Sequence, residues 1–148
     1  MHATHVQLVQ STFEQLRPQV EAVATLFYDR LFAIEPTTTH LFHGDQQKQR
    51  LMVMSALGLV LTNLDRPEIL MPLVQGMGTR HAGYGVTRAQ YTSLGEALLW
   101  TLEQGLGADF TPEVQAAWVA VYELLVRMMQ DATAETPGTS TLRTPEQA

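Results

Sequence analysis

The chain predicts an all-α fold, and three observations carry that prediction. Apolar residues recur at spacings of three and four, which stack them on one face of a helix. Proline and threonine helix-start signals stand where several of these stripes begin. No segment alternates apolar and polar residues between turn signals, as a half-buried strand would.

Val6, Val9, Phe13 and Leu16 form the first stripe, which Pro18 interrupts. Val20, Val23, Phe27, Leu31 and Ile34 form the second. Pro36 and Thr37-Thr38-Thr39 end it, because proline disfavours helix at the residue before it. A polar loop, His43 to Arg50, leads into a helix from about Asp45 to Leu64 with Val53, Leu57, Val60 and Leu64 facing inward. Pro67-Glu68 opens the next helix, whose stripe is Leu70, Val74, Met77 and His81. Thr87-Arg88-Ala89-Gln90 fits a capping box and starts a helix with Tyr91, Leu94, Leu98 and Thr101 on one face. Thr111-Pro112-Glu113 places an N-cap, a first-turn proline and a dipole-compatible acid in order. Val114, Trp118, Val121, Leu125 and Met128 follow. From Ala134 the chain becomes rich in Thr, Pro and Gly, which reads as a disordered tail over 134–148 behind a single domain over 1–133.

With 148 residues, one domain buries about two thirds of its unfolded surface. The net charge of −6, with nine basic residues of which only Lys48 is lysine, argues against nucleic acid or an anionic membrane as partner. Cysteine is absent, which excludes disulfides, thiolate metal sites and cysteine nucleophiles. The N-terminus has no basic stretch before an apolar run, and the run Leu51–Leu61 is far short of the roughly 18 residues of a membrane span. A cytoplasmic location is expected.

Three side chains on these stripes are chemically unusual. His81 ends an apolar row just before the glycine-rich "AGYG", and a buried imidazole needs a partner for its ring nitrogens. Gln49 lies one turn before Val53 on the inward face, and Tyr28 lies on the shoulder of the second stripe. Each has a structural explanation when taken alone. An isolated histidine on an apolar face is usually hydrogen-bonded within the core. A glutamine at a helix start is usually solvated, and a stripe-edge tyrosine usually packs with its hydroxyl in water. Periodicity by itself stops at a helical domain.

The order of Tyr28, Phe42, Gln49 and His81 with their surroundings resembles the globin family, more narrowly bacterial single-domain globins and the globin module of flavohaemoglobins. The matching stretches are "LFYDRLFAIEP", Leu41-Phe42, "QRLMV", "MPLVQGMGTRHAGYGV", "QYTSLGEALLWTLEQGLG" and "FTPEVQAAWVAVYELL". They cover residues 6 to about 130. No one of them is specific, but their order and spacing are.

The resemblance implies a globin fold around a haem pocket, and it implies roles for matched residues. His81 would be the metal ligand, binding haem iron through Nε2 with Nδ1 donating behind it. Phe42 would pack flat on the porphyrin. Tyr28 and Gln49 would stabilise a bound diatomic ligand from the distal side. Val53 and Leu57 would be apolar walls, Val86 would touch the porphyrin below, and Tyr91 would lie near the proximal histidine. Arg80 is the candidate cation for the haem propionates, ahead of Arg50 and Arg88; a solvated surface arginine is the alternative for each. With no cysteine for thioether attachment, the haem would be haem b.

Two departures from flavohaemoglobins bear on function. Their flavin and nicotinamide domains do not follow here before Ala148, so a separate reductase is the expected partner. Their glutamate near the end of the last globin helix falls on Thr133 by gapless counting from Trp118 and Tyr122, with Glu135 two residues further on. The leading expectation is an O2-binding globin for oxygen storage or transport that also takes NO and CO, as a monomer or homodimer. One alternative is an NO dioxygenase, in which NO and O2 become nitrate and the separate reductase returns the iron to ferrous. A third is a haem-free globin-like sensor or interaction module.

Overall fold

The computed structural model describes residues 2–41, 46–83 and 85–134. Among them there are six α-helices and no strand: α1 (Ala3–Leu16), α2 (Val20–Ile34), α3 (Gln46–Thr62), α4 (Pro67–Gly83), α5 (Arg88–Leu106) and α6 (Pro112–Ala134). The all-α expectation holds. The start signals act as their chemistry predicts. Thr87 Oγ1 accepts from the Gln90 backbone N–H at 3.1 Å while the Gln90 side chain accepts from the Thr87 N–H at 2.9 Å. Thr111 Oγ1 accepts from the Val114 N–H at 3.2 Å at the head of α6. Pro18 and Pro36 do not leave open loops: each sits in a short 3₁₀ turn, Arg17–Gln19 and Pro36–Leu41.

The most extensive helix contacts join α1 to α6, α4 to α6 and α2 to α5. Two clusters of buried side chains result. The larger gathers Val9, Phe13, Leu61, Val74, Trp118 and Val121; the smaller gathers Ala24, Phe27, Tyr28, Leu31, Met54 and Ala97. Leu57, Leu94 and Leu98 pack against both, so the interior is divided in two and bridged by three leucines. A buried polar contact joins α1 to α6. Trp118 Nε1 donates to Thr12 Oγ1 at 2.9 Å, and that hydroxyl donates to the Leu8 carbonyl at 2.6 Å. Both polar groups are thereby satisfied in a place where water cannot reach them.

Two stripes differ in register from the sequence reading. In α3, Met54, Gly58, Val60 and Leu61 lie inward, and Leu64 is buried just past the helix end, whereas Val53 is 40% exposed. The run Leu51–Leu61 is apolar on nearly every side, so periodicity does not single out one face. In α6 the row ends on buried Met129, not Met128, because its last step is four residues. That helix also includes Ala134, one residue beyond the expected boundary; residues 135–148 lie outside the described residues.

Gly78 fixes how closely α4 and α6 approach. A Cβ there would lie 2.5 Å from the Met129 carbonyl oxygen and 2.8 Å from its Cα, and neither backbone atom can move aside alone. Gly78→Val is therefore expected to push the two helices apart, at an overpacking cost of about 2–3 kcal/mol. The thermal midpoint should fall by roughly 5–10 °C, measurable by circular dichroism. An unchanged midpoint would mean that the helices part without cost.

Candidate functional site

The site is best built outward from His81, in the last turn of α4. Its Nδ1 stands 2.6 Å from the carbonyl oxygen of Met77, one turn earlier on the same helix. A carbonyl can only accept, so Nδ1 carries the proton and Nε2 of the neutral ring carries the lone pair. The backbone thus selects the tautomer and sets the plane of the ring. At the other end, the Val86 N–H donates to the His81 carbonyl at 3.1 Å. This contact needs the chain to turn back sharply, and Gly85 supplies the turn with φ +74°, where a Cβ would be strained.

His81 borders an interior cavity of about 190 Å³. That is more than ten times the space one water needs, so it is no packing defect. Its walls are overwhelmingly apolar and come from all six helices, with Val53 and Leu57 from α3, Met77 from α4, Leu94 and Leu98 from α5, and Leu125 from α6. Tyr91 lies on the same side as His81, the two rings nearly parallel at 20° with centroids 6.1 Å apart. The bridge between the two core clusters is therefore also the wall of this cavity.

Tyr28 belongs to the core cluster behind that wall, with Met54 of the lining, and is 1% exposed. It packs edge-on to Phe27, with ring centroids 5.0 Å apart. The Arg50 guanidinium lies 5.1 Å from the centre of its ring and 5.9 Å from that of Phe32. Arg50, a weaker propionate candidate from the sequence, is engaged with this aromatic pair. Gln49, one residue before it in α3, is half-buried. Neither Tyr28 nor Gln49 is among the side chains that line the cavity itself. Arg80 is exposed, and its guanidinium runs back along α4 to within reach of Gly76. Val86 is half-buried against the larger core cluster. Phe42, His43 and Glu135 lie outside the described residues, as does the side chain of Thr133.

Two contributors were not singled out from the sequence. The Met77 carbonyl orients His81; its position four residues earlier is legible from helix geometry, since that carbonyl always faces the following turn. Tyr122 lines the cavity and donates its hydroxyl to the Tyr91 carbonyl at 2.5 Å, tying α6 to α5 beside the imidazole. No spacing rule announces that contact.

Burial raises the phenol pKa of Tyr28, Tyr91 and Tyr122 above the usual value of 10.0, with Arg50 partly offsetting the effect at Tyr28 and Tyr91 adding to it at Tyr122. The folded protein then holds these protons more tightly than the unfolded chain does. The corresponding stability is complete below about pH 10 and is lost as pH rises above it. Alkaline titration is expected to show most of the tyrosinate absorbance appearing together with the loss of helical circular dichroism. Ionisation of all the tyrosines while the helices stay intact would overturn this.

Residues 25–129 match the family model described as Globin. The chain belongs to the globin family. A flavohemoprotein of Bordetella parapertussis (strain 12822) is 30% identical to this globin over 125 residues, covering 82% of it and 31% of the relative. A flavohemoprotein of Bacillus subtilis (strain 168) is 28% identical over 123 residues, covering 81% and 31%. This globin thus spans about a third of the length of the curated relatives it matches. Among solved structures it is similar to an engineered carbene transferase built on a Rhodothermus marinus protein assigned as a nitric oxide dioxygenase. The TM-score is 0.80 at 26% identity, covering 90% of this globin and 94% of that chain.

Proposed function

We propose that this globin holds haem against His81 and binds O2, and likewise NO and CO, reversibly. The observation that carries the reading is the imidazole itself. Its Nδ1 proton is committed to the Met77 carbonyl, so Nε2 is the nitrogen left with a lone pair, on a ring that borders an apolar cavity. The residues fit the group. A porphyrin is a large apolar disc that wants hydrophobic walls and few polar groups, and an iron ligand wants a fixed neutral imidazole with a hydrogen bond behind it. The flavohemoprotein relatives support the same cofactor, and without cysteine it would be the non-covalent haem b.

Haem, when bound, supplies the iron at which a diatomic ligand is held. The protein's own residues do the rest. Met77 and Tyr91 fix His81, one through a hydrogen bond and the other by ring packing. The leucines keep water out. Tyr28, held neutral by burial, retains its hydroxyl proton as a donor on the distal side, with Gln49 as the second donor. Phe42, Val53, Leu57 and Val86 would contact the macrocycle, and the exposed Arg80 would be the cation for its propionates.

NO dioxygenation is the second reading, favoured by the solved structure assigned as a nitric oxide dioxygenase. It draws on the same residues and needs a reductase to return the iron to the ferrous state. The deciding measurement is the visible spectrum of the purified protein, in the ferrous state, before and after O2 and CO. Reversible shifts with both gases are expected. A colourless protein that takes up no added haem would overturn the proposal.

A further inference from the structure

The cavity beside His81 is also lined by Phe13, Leu16 and Arg17 at the end of α1 and by Val20 at the start of α2. A surface groove across α3, which includes Leu51, Gly58 and Thr62, shares Phe13, Arg17, Val20 and Met54 with it. Phe13 also borders a second groove, toward Gln10 and Asp65. One aromatic ring thus stands between the interior and two openings on the surface. Opposite it is Gly58, where even an added Cβ would only just touch the ring, at 3.5 Å. Gly58 therefore sets no side chain against this face of the ring.

What holds Phe13 from outside is Arg17, whose guanidinium lies 5.1 Å from the ring centre. Glu14 holds Arg17 in turn, accepting from Nη2 at 2.9 Å and from Nε at 3.0 Å. Arg17 and Glu14 are 49% and 63% exposed, so water screens the pair and it restrains the ring only weakly. The walls behind the ring, Leu16, Val23 and Trp118 among them, offer nothing to an ion and no obstacle to a small apolar molecule.

We propose that diatomic gases enter this globin between the start of α2 and the middle of α3, with Phe13 as the gate and the Arg17–Glu14 pair as its latch. The assignment rests on the gas-binding reading above and adds the route. It also makes entry selective, since an apolar passage admits O2, NO and CO and rejects nitrite or other anions that must shed their water.

Flash photolysis of the CO complex of the haem-loaded protein tests the route. Phe13→Ala and Arg17→Ala are expected to raise the bimolecular association rate by roughly three- to tenfold, as for a barrier lowered by about 0.7–1.4 kcal/mol. Val20→Phe should lower it by a similar factor. Arg17→Ala guards against a misfolded Phe13 variant, because Arg17 is exposed. Crystals of the wild type under xenon pressure should show xenon in the stretch bounded by Phe13, Met54 and Trp118. Wild-type association rates in all three variants, or xenon that avoids this stretch, would overturn the proposal. A protein that takes up no CO would instead overturn the gas-binding reading, and the xenon result would then decide the passage by itself.

Discussion

Replacing His81 with Ala is expected to strip the protein of haem, lowering retention at least tenfold, which is about 1.4 kcal/mol or more of binding free energy. His81 is the imidazole whose tautomer the Met77 carbonyl selects, with Tyr91 stacked against it. Among the described residues, no second histidine borders the cavity to take over. The haem-to-protein ratio of the purified variant gives the answer, and added imidazole should restore part of it by supplying the lost nitrogen from solution. Haem occupancy and a ferrous spectrum equal to those of the wild type would remove His81 from the ligand role.

The second large effect is expected at Tyr28. O2 held at ferrous haem carries more negative charge than CO does, so a donor on the distal side favours O2 selectively. If the Tyr28 hydroxyl donates to bound O2, Tyr28→Phe removes one charge-assisted hydrogen bond, worth roughly 1.5–3 kcal/mol. O2 dissociation should therefore quicken about ten- to a hundredfold, with a much smaller change for CO. Gln49→Leu should act in the same direction with a smaller size. Stopped-flow measurements with both gases separate the possibilities. Equal effects on O2 and CO would make Tyr28 a packing residue, and no effect on either would place its hydroxyl away from the ligand. The Phe variant keeps the ring under Arg50 and beside Phe27, so the core cluster stays filled.

The fold was largely legible because helix punctuation is local. Thr87 with Gln90, and Thr111 ahead of Pro112, are read within four residues, and in the folded chain each threonine hydroxyl accepts a first-turn N–H, from Gln90 and from Val114. Register inside α3 was not legible. Leu51 to Leu61 is apolar almost throughout, and which side is inward depends on α1 and α2, which no local window contains. The same division runs through the site. His81, Met77 and the Gly85 turn lie within nine residues, and their relation follows from helix geometry. Tyr28 reads as a stripe-edge tyrosine with a wet hydroxyl, yet it is enclosed by aromatic neighbours and by an arginine from another helix. The Tyr122–Tyr91 bond spans 31 residues and is invisible to any pattern. The cavity is less legible still, being a property of all six helices at once.

The contact between Thr12 and Trp118 has a consequence for synthesis. It joins residues 106 apart in sequence, in α1 and α6, which share one of the most extensive helix contacts of the fold. α1 leaves the ribosome before α6, and chains made in that order fold as their partners become available. Until α6 has emerged, Val6, Val9, Phe13 and Leu16 lack their main cover and form an amphipathic helix open to any apolar surface nearby. Loss of the Trp118 side chain would lengthen the exposure, since α6 is the helix that closes over α1.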